Sequence, residues 1–138
     1  MIILDTNVLS ALMLARPETV VAEWLDRQPH TSIWTTSITV FEIRSGLETM
    51  PAGKQRSQRI AAFERVLSEV IEHRFATFDR EAAERAGYLF AERQKKGRPV
   101  EMRDTMIAGI VVASHAALAT RNVRHFEDIA GSVVNPWE

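Results

Sequence analysis

Asp5 follows three large apolar residues in "MIILDTNVLSALM", where a buried-looking segment runs into an acid and an apolar helical pattern then resumes. Two readings of that acid are open. Asp5 or Thr6 caps the helix that follows, since both types are common N-caps. Alternatively the acid lies beyond the carboxyl end of a strand, where ligands bind in open α/β sheets. Asp104 in "EMRDTMIAGIVVA" begins the most apolar helical stretch, and the same two readings apply. Ile107, three residues on, rules out a capping box and leaves only a simple cap. Glu42 in "SITVFEIRSGL" falls well off the Val40–Ile43–Leu47 stripe at about 100° per residue. It is either a solvated helix face or a carboxylate beside the space left by Ser45 and Gly46. Brought to one sheet edge, three carboxylates repel and their pKa values rise unless a cation neutralises them. Mg²⁺ is the natural partner, with Mn²⁺ as an alternative, because hard divalent ions take carboxylates and retained waters. Such an ion activates water and stabilises the charge that builds on a phosphodiester, which is nuclease chemistry.

Other chemistries find less support. There is no Gly-rich phosphate loop and no nucleophile elbow. "DTN" resembles the opening of a haloacid-dehalogenase-type phosphatase, but Asn7 stands where that family needs a second Asp. The histidines (His30, His73, His115, His125) show no metal-ligand spacing, so core or surface roles are expected for them. Cysteine is absent, which removes disulfides and thiolate zinc sites. Lys plus Arg number 17 against 18 Asp plus Glu, a net charge of −1. That balance argues against a wholesale nucleic-acid coat but leaves room for a local basic groove. The N-terminus lacks the basic region of a signal peptide. "MIAGIVVASHAALA" is broken by Ser114 and His115 and is too short for a bilayer span. A soluble cytoplasmic protein with no membrane association is expected.

The elements that must position these acids follow from periodicity. "IIL" is a short buried strand, and "NVLSALMLA" a helix halted near Arg16-Pro17. "PETVVAEWLDRQ" is a second helix with Pro17 in its first turn and Glu18 at its N-terminal dipole. A β-branched strand is expected at about residues 32–35. "SITVFEIRSGLETM" carries a helical stripe of Val40, Ile43, Leu47 and Met50, and "SQRIAAFERVLSEVI" another of Ile60, Phe63, Val66, Leu67 and Val70. "HRFATF" reads as a strand. A long helix starts at Asp79 and ends at Lys95 and Lys96 before Gly97, as the dipole and the C′ position favour. "DTMIAGIVVASHA" is apolar on nearly all faces and so central, and "LAT" and "SVVN" are final strands. Without repeats, linkers or low-complexity tracts, residues 1–138 are expected to form a single domain. Alternating strands and helices imply a mostly parallel sheet covered on both faces, a three-layer α/β/α sandwich.

In this order, "MIILDTNVLSAL", "TTSITVFEIRSGL", "EMRDTMIAGIVVA" and "LATRNVRHFEDIAGSVVNPW" resemble the PIN-domain ribonucleases. Within them the chain is most similar to the VapC-type toxins of bacterial toxin–antitoxin pairs, including FitB-like members. Any one match is weak, whereas four in order along the whole chain are specific, and they decide in favour of a functional Glu42. The resemblance implies a PIN-like fold and a metal-dependent endoribonuclease. Asp5 and Asp104 would be its principal metal ligands, with Glu42 completing the cluster and positioning the attacking water. Many members carry a fourth acid where this chain has Asn122, which can offer a carbonyl oxygen but no charge. Thr6, Asn7 and Thr120 would support that corner, and Glu101, one turn before Asp104, is a candidate source of the missing charge. Basic runs at Lys54, Arg56 and Arg59 and at Arg93, Lys95, Lys96 and Arg98 read as solvated faces or as an approach for RNA. Arg103, Arg121 and Arg124 lie nearer the acids and are candidate RNA contacts. The resemblance further implies a small cognate antitoxin, a homodimer, and promoter DNA bound only through the antitoxin. A rival reading is a PIN-fold binding module whose site is weakened by Asn122 and which acts mainly in a DNA-bound regulatory complex. A metal-dependent phosphatase stands third.

Overall fold

A computed structural model describes residues 1–138. The chain runs through β1 (Ile2–Leu4), α1 (Thr6–Leu12), α2 (Thr19–Asp26), β2 (Ile33–Thr36), α3 (Ser37–Thr49), α4 (Lys54–Glu69) and β3 (Phe75–Ala76). It continues through α5 (Arg80–Lys95), α6 (Met102–Ser114), β4 (Ala117–Ala119) and β5 (Val133–Val134), with 3-10 turns at His30–Ser32 and Val123–Phe126. The strands form one sheet in the order β3-β2-β1-β4-β5, and every pair is parallel.

Neighbouring residues of a strand point to opposite faces, and β1 shows how this divides the core. Leu4 packs with Val8, Leu9, Ile43, Phe63 and Val66 under α1–α4. Ile3 packs on the other face with Ile107, Ala108, Ile110, Val111 and Leu118 under α5 and α6. The result is the expected α/β/α sandwich. Gly109 lets α6 lie close against α5: a Cβ there would come within 2.5 Å of the Ala82 carbonyl oxygen and 2.7 Å of the Ala86 Cβ.

The stripes read from α3 and α4 do face the core, and α6 is buried along most of its length. Asp79 caps α5 by accepting from the Ala82 N–H, and Gly97, just past its end, has φ +64°. Four local expectations need correction. The first helix stops at Leu12 rather than Ala15. Pro17 lies outside α2, whose N-cap is Glu18, and the Glu18 carboxylate accepts from the Trp137 indole N–H at 2.9 Å instead of capping. β3 shrinks to two residues because Glu72 and His73 turn with positive φ just before it. Asp104 does not start α6. The helix begins at Met102, and the Glu101 carboxylate caps it by accepting from the N–H groups of Arg103 (2.9 Å) and Asp104 (3.3 Å).

Candidate active site

Parallel pairing of β1 with β4 sets Leu4 level with Ala119, so both strands end together. Asp5, the next residue, donates its N–H to the Ala119 carbonyl (2.9 Å), and its side chain meets that of Thr120. Thr120 Oγ1 donates to Asp5 Oδ2 at 2.7 Å, the Thr6 N–H donates to Oδ1 at 2.8 Å, and Asn7 Nδ2 lies 3.4 Å from Oδ2. Asp5 is therefore both the cap of α1 and a carboxylate at the carboxyl edge of the sheet. Only 2% exposed, it has neutral donors around it and no cation in contact. Burial raises its pKa, the hydrogen bonds from Thr120 and Thr6 counter this, the charge of Asp104 raises it further, and His125 lowers it.

Glu42 reaches the same edge from α3. Thr6 Oγ1 donates to its Oε1 at 3.1 Å, and Arg103 lies 3.9 Å from Oε2. Burial again raises the pKa; the Thr6 hydrogen bond and Arg103 lower it, while Asp5 and Asp104 add to the rise. Gly46, one turn on, has open space beside it and lines a groove of about 1290 Å³ together with Glu42, Thr6, Arg59, Arg65 and Arg103. The room expected next to Glu42 is present.

Asp104 sits in the first turn of α6, and its Oδ2 lies 2.6 Å from His125 Nδ1. The sequence reading missed His125, having assigned it a core or surface role. Nothing in its spacing would have found it, because the contact depends on how the turn Val123–Phe126 packs. Glu101 does not extend the acidic cluster. One oxygen is held by Arg103 Nε at 2.9 Å and the other by the helix N–H groups. Its burial works against the charge, but these donors prevail and lower its pKa.

Asn122 joins the corner through its backbone, its N–H donating to Thr120 Oγ1 at 3.0 Å, while its exposed side chain makes no capping bond. Asn7 Oδ1 accepts from the Arg121 N–H at 3.0 Å, fastening α1 to the same loop. The Arg121 guanidinium stacks 4.7 Å above the Trp137 ring, and Arg121, Asn122, Arg124 and His125 line a second recess of about 340 Å³. Arg93 departs most from expectation. It is no solvated cation but lies 2% exposed in an ion pair with Asp128.

Asp5, Glu42 and Asp104 thus share one sheet edge and act on one another's charge. No three His, Asp or Glu side chains close on a common point, since Asp104 turns to His125 and Glu42 to Thr6. The donors nonetheless suit a hard divalent cation. They are carboxylate oxygens, and the most buried of them has no cation in contact, although buried charge is costly unless it is paired. An ion held by Asp5, with Glu42 and Asp104 nearby, would relieve a repulsion that neutral donors cannot.

The family model described as "PIN domain" matches residues 2–132. A VapC ribonuclease, Y4jK of Sinorhizobium fredii, is 36% identical over 138 residues, covering 100% of this chain and 99% of that protein. Toxin FitB of Neisseria gonorrhoeae is 28% identical over 137 residues, covering 99% of each. The structure of FitAB bound to an IR36 DNA fragment superposes with a TM-score of 0.88 at 28% identity, covering 100% of this chain and 96% of the other. No helix is long and apolar enough to cross a membrane.

Proposed function

The chain belongs to the PIN-domain family, and from that membership we propose that it is the toxin of a toxin–antitoxin pair, an endoribonuclease that uses Mg²⁺ (or Mn²⁺) at Asp5, Glu42 and Asp104. It works as one domain in the cytoplasm, as a homodimer, restrained by a small antitoxin through which the pair binds promoter DNA. One observation carries the reading: the Asp5 carboxylate is buried at the end of β1 beside two other acids and is met only by neutral donors. Such a charge is poorly matched until a cation arrives.

When bound, the ion supplies Lewis acidity that activates the attacking water and stabilises charge on the phosphodiester. The protein's own groups do the rest. Asp5 is fixed in one rotamer by Thr120 and Thr6, so its oxygens need no reordering. Asp104 approaches from α6, and Glu42, held by Thr6, positions the water that attacks phosphorus. A P–O bond to water forms as the bond to the leaving sugar oxygen breaks. Arg59, Arg65 and Arg103 along the groove give the RNA backbone a path to the acids, with the salt sensitivity that phosphate contacts bring.

Purified protein is expected to cut RNA with Mg²⁺ or Mn²⁺ and to stop on adding chelator. Asp5→Asn and Asp104→Asn should each lose at least about two orders of magnitude in rate, since the ion's contribution is several kcal/mol. Expression alone should arrest growth, and co-expression of the small cognate antitoxin should restore it. Undiminished cleavage by both variants would move the chemistry elsewhere.

A further inference from the structure

The mechanism above uses neither the best-connected buried cation of the molecule nor the histidine that touches Asp104. Arg93 spends its planar donor fork on three partners. Nε and one terminal nitrogen grip Asp128 at 2.8 Å each, the same nitrogen donates to the His125 carbonyl at 2.7 Å, and the other donates to Thr105 Oγ1 at 2.8 Å. Thr105 is the residue after Asp104 in α6. One rigid group thus fastens both sides of the 2.6 Å contact between His125 Nδ1 and Asp104 Oδ2. A carboxylate that holds a cation is ionised and can only accept, so in that state Nδ1 is the donor of this bond.

We propose that His125 is a positioning residue for Asp104, donating to Oδ2 so that Oδ1 is presented to the cation, and that Arg93 is the anchor that holds His125 there. Arg93 and Asp128 already balance one another's charge. The two further bonds of Arg93, to the His125 carbonyl and to Thr105, satisfy its remaining buried N–H donors and at the same time tie the two sides of the contact to one rigid group. Arg suits this role because its fork is flat and pre-organised, which Lys cannot imitate. Partners of metal-binding groups act in this way by fixing the orientation of the ligand. The inference rests on the ion site of the proposed function.

The experiment measures Mn²⁺ binding to the full chain by electron paramagnetic resonance, without RNA, alongside melting in chelator. The His125 side chain is 45% exposed, so His125→Ala should melt close to wild type while binding Mn²⁺ about 10–100-fold more weakly, as loss of an outer-shell partner does. His125→Asn places an amide N–H near the position of Nδ1 and should recover most of the affinity. Arg93→Lys should weaken binding in the wild-type background and add little further to His125→Ala, the non-additivity expected of residues acting in series. Wild-type affinity in His125→Ala overturns the proposal, as does His125→Asn binding no better than Ala. A fully additive Arg93→Lys effect removes Arg93 from the role. Asp104→Asn separates the two readings. If it binds like wild type, the ion site itself is wrong and this inference falls with it. If it binds weakly while His125→Ala does not, only the positioning role fails.

Discussion

Asp5 and Arg93 are each 2% exposed, and both lie near the end of the sheet where α6 begins. Their surroundings differ in kind. Arg93 faces a carboxylate in a two-point pair, a carbonyl and a hydroxyl, and the pKa of Asp128 is lowered chiefly by the Arg93 hydrogen bond. Asp5 faces two hydroxyl- or amide-bearing side chains and one backbone N–H, with a second acid near enough to raise its pKa on top of burial. One buried charge is matched within the fold and the other is met only by neutral donors, at a cost in stability. In the proposed function, a cation supplies what Asp5 lacks.

The largest effect should come from breaking the matched region. Arg93→Met leaves Thr105 and the His125 carbonyl without their donor and Asp128, which water can reach, without its partner, and should cost about 1–3 kcal/mol in urea unfolding. The lowered folded pKa of Asp128 gives the sign with pH: its contribution is present above the ordinary carboxylate value and is lost as pH falls through the folded one. The wild-type advantage over Arg93→Met should therefore shrink in acid. A loss inside about 0.5 kcal/mol at neutral pH would place Arg93 among ordinary surface residues.

At the unmatched region the sign reverses. In chelator, Asp5→Asn removes a buried charge that has no counter-ion, so its melting temperature should exceed that of wild type although its activity is lost. Adding Mg²⁺ should then stabilise wild type and leave the variant unmoved, because only a folded state that binds the ion gains from it. An Asp5→Asn protein less stable than wild type in chelator would mean that the neutral donors already satisfy Asp5.

The smallest effect is expected at Asn122, whose exposed side chain joins neither region. In Mg²⁺ titrations of cleavage, Asn122→Ala should be milder than Asp104→Ala, because water replaces a neutral ligand more readily than a charged one. Asn122→Asp should tighten Mg²⁺ by very roughly 1–2 kcal/mol if its carboxylate faces the ion at a partly screened separation. Superimposed curves for wild type and both Asn122 variants would place this position outside the site.

The stripes of α3, α4 and α6 were legible because apolar periodicity is a property of about ten consecutive residues. Asp5, Glu42 and Asp104 stood out by local position, at a strand end, off a helical stripe and at the start of the most apolar helix, but position left a cap or a solvated face equally open and the family resemblance chose between them. Their contacts were not legible. The resemblance named Thr6 and Thr120 as supports, but that Thr120 meets Asp5 across 115 residues and Thr6 meets Glu42 across 36 needed the fold, and the pairing of Arg93 with Asp128 across 35 was not expected. Residue type within "RQKKGR" does not separate Arg93 from its exposed neighbours Lys95 and Lys96; its helical spacing from Ala82, Ala86 and Leu89 does, and the packing of α5 on α6, with Gly109 at the contact, buries that face. Sequence by itself determined the elements and their hydrophobic faces, because those follow from backbone sterics and the water-driven burial of nearby side chains; it offered the three acids only as candidates, which the family resemblance selected. Tertiary structure alone decided which charges are matched by an opposite charge and which meet only neutral donors. Hydrogen bonds and ion pairs need partners within about 3 Å, and only the register of β1 against β4 and the seating of α6 bring such distant residues that close.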